Sequence, residues 1–218
     1  VIVGFEPTGH YWFNLGDHLV ACGHKLAIVN PFHVKCAREL DDNSPSKSDR
    51  KDPKTIAMLV KDGRYRDVYI PVGAYQELRE LVCERERLQE RLSALKNQII
   101  RWMDIYFPEF TTVFKDWSKQ AAWLALRHFS TPQNMVEAGP QEILSTWREE
   151  MKRPSLKRAE RLCLVASQSV GRKEGTVAAI SSLRFIMTEY ELITMRLEQL
   201  KEEMAECLSQ IPNAYRLL

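Results

Sequence analysis

Two long repeats with a three-four spacing constrain the fold of this chain more than any other feature. The first runs through Leu78, Leu81, Arg85, Leu88, Leu92, Leu95, Ile99, Trp102 and Tyr106, and the second through Leu183, Ile186, Tyr190, Ile193, Leu197, Leu200, Met204, Cys207 and Ile211. Such spacing is typical of the apolar seam of a coiled coil, in which Arg85 is a misfit. Each repeat predicts a helical rod ~45 Å long.

The two rods are expected to pair antiparallel with each other or with rods of another subunit, and the sequence leaves both open. Plain core helices of a bundle are a further alternative. We place the arms at about residues 75–107 and 176–211, with several shorter helices forming a tip at about 117–170. A helical coiled-coil domain is therefore predicted over residues 73–218, and a projecting arm of this kind would serve assembly.

The first third of the chain has a different pattern. Residues 1–5 are an apolar run, expected to be a strand buried on both faces and ended by Pro7 and Gly9. A helix over 9–23 and a second apolar strand over 25–30 complete a βαβ unit, which predicts parallel strands. Further helices are expected over 32–40 and up to about Lys61. The overall prediction is α/β plus α, with a first domain at residues 1–72.

Three acids in this first domain are candidate ligands of a metal ion. Glu6 ends the first strand at its carboxyl edge, where open α/β sheets bind ligands. Asp49 and Asp52 are three residues apart across a predicted helix start, so they can face the same way. Converging carboxylates repel one another unless a cation lies between them, and Mg²⁺ is the natural choice. The alternatives are that Glu6 caps a loop and that the two aspartates complement the helix dipole.

Positive charge is local in this sequence rather than general. Charged residues make up 28% of the chain but nearly cancel at net +2, so a nucleic-acid surface must be confined to clusters. One cluster flanks the acids and contains Lys47, Arg50 and Lys51. The other contains Lys152, Arg153, Lys157, Arg158 and Arg161 near a predicted helix start, with Arg172 and Lys173 as candidates to extend it. Both clusters suit phosphate contacts, and a solvated helix face is the alternative for the second one.

Cysteine spacing and apolar runs indicate the cellular setting. The five cysteines are widely spaced without a Cys-x-x-Cys pair, so neither a zinc site nor a disulfide framework is indicated, and a reducing cytoplasm is expected. No apolar run approaches the ~20 residues that span a bilayer. The chain opens at Val1 inside a strand and ends in an apolar stretch, which leads us to expect a fragment of a longer protein.

Several motifs carry a resemblance to a known family. Three stretches resemble the N-terminal domain of the insertion-sequence-110 family of bacterial transposases. They are Phe5-Glu6-Pro7-Thr8-Gly9, Asn30-Pro31 and Lys47-Ser48-Asp49-Arg50-Lys51-Asp52. The resemblance extends along nearly the whole chain through three further stretches, Leu78-Arg79-Glu80-Leu81, Leu197-Glu198 and Ile211-Pro212. The spacing from Glu6 to Asp49 and Asp52 is its most specific part, whereas Pro53 and Cys83 depart from the family pattern.

The resemblance implies a fold, a site and partners. The family is called DEDD for its four acids, and its N-terminal domain is ribonuclease-H-like, similar to Holliday-junction resolvases. Glu6 would be the second acid, and Asp49 and Asp52 the third and fourth, holding Mg²⁺ or Mn²⁺. The first acid would lie on an earlier strand, and a domain with a serine nucleophile would follow Leu218. DNA, a structured guide RNA and further copies of the chain are the implied partners.

Two hypotheses follow from the sequence. In the first, the chain is a fragment of a Mg²⁺-dependent DNA transposase or site-specific recombinase of the bacterial cytoplasm, inactive on its own. In the second, it is a non-enzymatic module for oligomerisation and nucleic-acid binding, with the acids acting as helix caps.

Overall fold

A computed structural model describes residues 1–7, 9–42 and 51–212 of the chain. The chain divides into two compact units, Val1–Gln76 and Glu77–Leu218. In the part that is described, no helix is both long enough and apolar enough to cross a membrane.

A small mixed sheet organises the first unit. Strands β1 (Ile2–Phe5) and β2 (Lys25–Ile28) are parallel and are joined by helix α1 (Phe13–Ala21), as the sequence predicts. Strand β3 (Arg66–Asp67) pairs antiparallel with β2, which gives the order β1-β2-β3. Strand β3 was not predicted, because its two residues are both charged and do not alternate with apolar residues.

The prediction that β1 is buried on both faces is wrong for this structure. Val1 is 91% exposed and Ile2 46% exposed, because β1 is the edge strand of the sheet and no other described strand pairs with its outer edge. One face is nevertheless tightly covered. A Cβ atom on Gly4 would lie 2.5 Å from Cγ2 of Val60, so the helix that carries Val60 approaches at a distance that only glycine permits.

Two helices complete the first unit. Helix α2 (Pro31–Asp42) follows β2 directly, and the side chain of Asn30 accepts a hydrogen bond from the Phe32 N–H at its start. Helix α3 (Lys51–Lys61) has Pro53 in its first turn, where a missing N–H costs nothing. Val29, Val34 and Leu59 join the helices to β2 in a small buried cluster.

The second unit is helical. Helices α4 (Ala74–Tyr106) and α9 (Thr176–Ser209) contain the two repeats found in the sequence. Every residue of both seams is buried or half-buried, including the misfit Arg85. The three-four spacing therefore predicted both the length of these helices and the side that each one buries.

Polar contacts fix the relative direction of α4 and α9. They join Glu84 to Arg196, Arg91 to Glu189 and the Trp102 indole N–H to the Ala179 carbonyl. The partner's number on α9 falls as the residue number on α4 rises, which is the register of two antiparallel helices. The structure thus joins the two arms within one chain, whereas their description as a coiled-coil hairpin stays a prediction.

Four shorter helices lie between the arms: α5 (Phe110–Val113), α6 (Gln120–Phe129), α7 (Pro132–Glu150) and α8 (Leu156–Ser167). Thr131 and Ser155 cap α7 and α8, since their side chains accept hydrogen bonds from the Asn134 and Arg158 backbone N–H groups. Gly139, at φ 73°, kinks α7 just before Pro140. These helices enclose one buried core together with the C-terminal half of α4 and the N-terminal half of α9.

Candidate functional site

Glu6 lies immediately beyond the last residue of β1 and is half-buried. The strand holds it in register, because Phe5 lies opposite Ile28 and its carbonyl accepts the Val29 N–H at 3.0 Å. Pro7 then turns the chain away. The prediction that Glu6 sits at the carboxyl edge of the sheet is therefore confirmed as a matter of position.

A cleft of about 510 Å³ opens at this edge of the sheet. Pro7 and Asn30, which follow β1 and β2, line it together with His33, Arg64 and Arg66. Sequence reasoning missed the two arginines, because they occur in a short polar link that shows no periodic pattern. They reach this edge because β3 runs antiparallel and begins beside Ile28, at the end of β2.

Asp52 occupies the first turn of α3 and is one of the few charged residues that are buried. Its Oδ1 accepts a hydrogen bond from Nη1 of Arg38 on α2 at 3.0 Å, and the two side chains are only 13% and 11% exposed. Arg38 Nε is also buried and has no hydrogen-bond partner among the described residues. The Asp52 carboxylate thus faces a cation that sequence reasoning did not identify.

The described contact between α3 and β1 lies beyond Asp52 along the helix. Helix α3 packs on β1 where Ile56 and Val60 meet Gly4, one to two turns beyond Asp52. Within residues 1–7, 9–42 and 51–212, no group of three or more His, Cys, Asp or Glu side chains is placed to hold a metal ion. Asp49, Lys47 and Arg50 lie outside the described residues, and Lys51 is described only as the first backbone position of α3.

The second basic cluster lies in the second unit, around the start of α8. Lys152 and Arg153 occupy the turn after α7, Lys157, Arg158 and Arg161 lie on α8, and all five are exposed. Arg158 lies over the Phe114 ring at 5.9 Å, and Arg161 donates a hydrogen bond to the Thr112 carbonyl at 3.3 Å. Two of the five cations are thereby held in place at the surface.

Arg172 and Lys173, the candidates to extend this cluster, lie near the other end of α8. They follow the C-terminal end of α8, whereas Lys152 to Arg161 surround its N-terminal half. A helix of 12 residues is about 18 Å long, and Arg161 lies halfway along it.

Comparison with known proteins finds that the chain is similar to transposases. Residues 1–108 match a family described as "Transposase", and that family is the DEDD transposases of the insertion-sequence-110 type. The match covers just under half of the chain and confirms the resemblance seen in the sequence. Glu6, Asp49 and Asp52 all fall within the matched range.

A relative supports the same assignment over a longer range. The chain is 24% identical over 188 residues to a protein of Sinorhizobium fredii (strain NBRC 101917 / NGR234) named "Putative transposase y4qE". The alignment covers 83% of this chain and 46% of that relative. The chain thus spans about half of the relative's length.

Proposed function

We propose that this chain is a functional part of a transposase that breaks and rejoins DNA with the help of Mg²⁺ or Mn²⁺. The observation that carries the proposal is the family match over residues 1–108, which includes all three candidate acids. The fold supports it, because Glu6 stands at the carboxyl edge of a parallel strand pair, where α/β proteins place their ligands.

Glu6, Asp49 and Asp52 are the residues that would hold the divalent ion. Their carboxylate oxygens are the hard ligands that Mg²⁺ and Mn²⁺ prefer. The hydrogen bond from Arg38 engages Oδ1 of Asp52 at 3.0 Å, so Oδ2 is the oxygen that would face the ion. When bound, the ion would supply positive charge next to a DNA phosphate.

The residues of the cleft beside Glu6 would position that phosphate. Arg64 and Arg66 line the cleft from the β3 side, and a guanidinium group can donate two parallel hydrogen bonds to a phosphate. Asn30 offers an uncharged polar side chain at the end of β2. We expect these residues to bind and orient the DNA backbone rather than to take part in bond breaking.

The cluster Lys152, Arg153, Lys157, Arg158 and Arg161 is proposed as a second nucleic-acid contact. Its exposure and the fixed positions of Arg158 and Arg161 suit a phosphate backbone, either of DNA or of a structured guide RNA. Arginine residues already held by an aromatic ring or a carbonyl lose less conformational freedom on binding.

Assembly through the helical arms is the third part of the proposal. Because the seams of α4 and α9 face each other within one chain, a second copy needs another surface. Phe185 and Leu192, which are 66% and 54% exposed on α9, lie one heptad apart and provide an apolar stripe. We expect Leu192→Lys to lower the oligomeric mass measured by light scattering, and an unchanged mass would remove this stripe from the proposal.

Transposition assays with the full-length protein test the catalytic assignment. Glu6→Gln, Asp49→Asn and Asp52→Asn should each abolish DNA cleavage and strand exchange, while Asp62→Asn, a matched change at an exposed acid after α3, should not. Circular dichroism separates lost chemistry from lost folding, which matters most for Asp52 because its removal leaves Arg38 unpaired. Wild-type activity in all three acid variants would refute the assignment.

A salt titration of nucleic-acid binding tests the basic cluster. Lys152→Gln/Arg153→Gln/Lys157→Gln should reduce the slope of log affinity against log salt by about 0.7 to 0.9 for each phosphate group that the variant no longer neutralises. Arg79→Gln/Lys96→Gln/Lys201→Gln removes the same charge from exposed sites on the arms and is the control. An equal slope in both triple variants would exclude the cluster.

The non-enzymatic module remains the second candidate. The observation that favours it is the basic cluster at the start of α8, in which the Phe114 ring and the Thr112 carbonyl hold Arg158 and Arg161. The two sets of variants separate the candidates. A module predicts that the acid variants recombine DNA normally while the cluster variants lose binding, and the transposase proposal predicts that the acid variants bind DNA but leave it intact.

A further inference from the structure

The second unit contains a cavity that neither the acids nor the basic cluster uses. Its volume is about 380 Å³, and it lies where the end of α4, the start of α7, the end of α8 and the start of α9 meet. It is lined by two cations, Arg172 and Lys173, by one acid, Glu137, and by several hydroxyl side chains: Thr131, Ser167, Ser169 and Thr176. Tyr106, Pro132, Val136 and Ala166 supply an apolar wall.

Hydrogen bonds and close packing against the end of α4 and against Glu109 fix the loop that carries the two cations. Glu109 accepts hydrogen bonds from the Ser169 hydroxyl at 2.7 Å and from the Val170 N–H at 3.0 Å. The Arg172 N–H donates to the Ile105 carbonyl at 2.9 Å. Gly171 is buried against the end of α4, where a Cβ atom would lie 2.1 Å from the Tyr106 carbonyl oxygen. The positions of Arg172 and Lys173 are therefore set by the backbone of α4.

The charges around the cavity favour an anion. Neither Arg172 nor Lys173 forms a salt bridge within the described part of the chain, and both side chains are exposed. The opposing acid, Glu137, is engaged on its own helix, where its Oε1 accepts a hydrogen bond from Gln133 Nε2 at 3.0 Å. Two cations against one acid leave a net positive charge.

We propose that this cavity binds a phosphate group carried by a nucleotide unit. Arg172 and Lys173 would bind the phosphate. The Thr131 and Thr176 hydroxyl groups would donate to the sugar or to the remaining phosphate oxygens, since the Ser167 and Ser169 hydroxyl groups already donate to the Leu164 carbonyl and to Glu109. The wall formed by Tyr106, Pro132 and Val136 would contact the base. A free nucleotide and a unit of single-stranded nucleic acid share this chemistry. The site does not involve Glu6, Asp49 or Asp52, so a failure to bind a phosphate here would leave the catalytic proposal unchanged.

Calorimetric titration of the full chain tests the cavity with defined probes. Adenosine monophosphate and a short single-stranded oligonucleotide should bind, and adenosine, which lacks the phosphate, should bind at least about tenfold more weakly than its monophosphate. Arg172→Gln/Lys173→Gln should weaken phosphate-dependent binding about tenfold or more, whereas the control Arg79→Gln/Lys96→Gln should leave it unchanged.

A second variant changes the volume of the cavity and keeps its charge. Val136 is 45% exposed at the cavity wall, so Val136→Trp should fill the space without disturbing the core, and it should weaken binding as the charge variant does. Binding of the monophosphate identifies a free nucleotide site, and binding of the oligonucleotide alone identifies a strand site. Failure of both phosphate probes to bind, or equal binding by the cavity variants and the control, would overturn the proposal.

Discussion

One ion pair in the first unit and a network of ion pairs in the second lie in opposite settings. In the first unit, Arg38 and Asp52 are almost completely enclosed, with side chains 11% and 13% exposed. In the second, Arg196 binds Glu84 and Glu203 at the surface, where each of the three side chains is at least 36% exposed. A buried pair has lost its hydration and depends on its partner, whereas exposed pairs contribute little to stability and mainly favour one register.

The hydrophobic cores of the two units also differ, in size and in the number of elements that form them. The first unit buries a small cluster around Val29, Val34 and Leu59, and the second encloses a continuous core formed by all six of its described helices. Polar contacts should therefore matter more for folding in the first unit, and apolar packing in the second.

Truncation of a core tryptophan in the second unit should have the largest effect. Trp147 is fully buried and packs against the Phe114 ring, so Trp147→Ala should lower the free energy of unfolding by about 4 kcal/mol. Urea denaturation measures this loss. Val177→Ala, at a residue that is 84% exposed, is the control and should change stability by less than about 0.5 kcal/mol. Equal losses in both variants would contradict the view that packing stabilises this unit.

Loss of Arg38 should be the next largest effect and should act on the first unit. Arg38→Met keeps an apolar stem but leaves the Asp52 carboxylate buried without its cation, which should cost about 3 kcal/mol. The double variant Arg38→Met/Asp52→Asn removes both charges and should recover much of that loss. Chemical denaturation of the single and double variants gives the coupling energy. A double variant less stable than Arg38→Met would show that the pair is not an interdependent unit.

The long helices were predictable from sequence, and the reason is local. The seams of α4 and α9 repeat over many turns, so each additional apolar residue strengthens the same prediction, and even Arg85 lies on the buried side. The choice between pairing within and between chains was not predictable, because spacing alone does not show which surface meets which. That choice depends on cross-contacts such as Glu84 with Arg196, at a separation of 112 residues.

The candidate sites show the same limit of prediction from sequence more clearly, because some of their residues come from distant parts of the chain. The position of Glu6 at the end of β1 was predicted correctly, because Pro7 directly after it ends the strand. The partner of Asp52 was not foreseen, since Arg38 reaches it from another helix. Arg64 and Arg66 were missed because a two-residue antiparallel strand brings them to the sheet edge. Sequence reasoning thus found residues with local signals and missed those placed by long-range packing.

Removal of the Glu109 charge should have a smaller effect, with a distinct dependence on pH. Burial acts to raise the pKa of the Glu109 carboxyl, but hydrogen bonds from the Val170 N–H and the Ser169 hydroxyl outweigh it and hold the pKa below its ordinary value. Its stabilising contribution is therefore present above that ordinary value and is lost as the pH falls through the lowered one. Glu109→Gln should cost about 1 kcal/mol at neutral pH.

Thermal melting across the acidic range measures this contribution. The stability difference between wild type and Glu109→Gln should shrink as the pH falls below the ordinary carboxyl value. Glu142→Gln, at an exposed acid on α7, provides the matched loss of charge. A difference that stays constant with pH would mean that the loop of residues 169–172 does not depend on the Glu109 charge.

The exposed network around Arg196 should give the smallest change in stability, and it should show mainly in the pH profile. Hydrogen bonds from Arg196 outweigh burial and hold the pKa of Glu84 below its ordinary value of 4.5. The contribution of Glu84 is thus full above that value and disappears as the pH falls through the lowered pKa. Glu84→Gln should therefore melt below wild type at neutral pH and approach it in acid, whereas Glu86→Gln, two residues along α4, should follow the wild-type profile. A larger loss of stability for Glu84→Gln than for Arg38→Met would reverse the contrast between buried and exposed charge from which these predictions start.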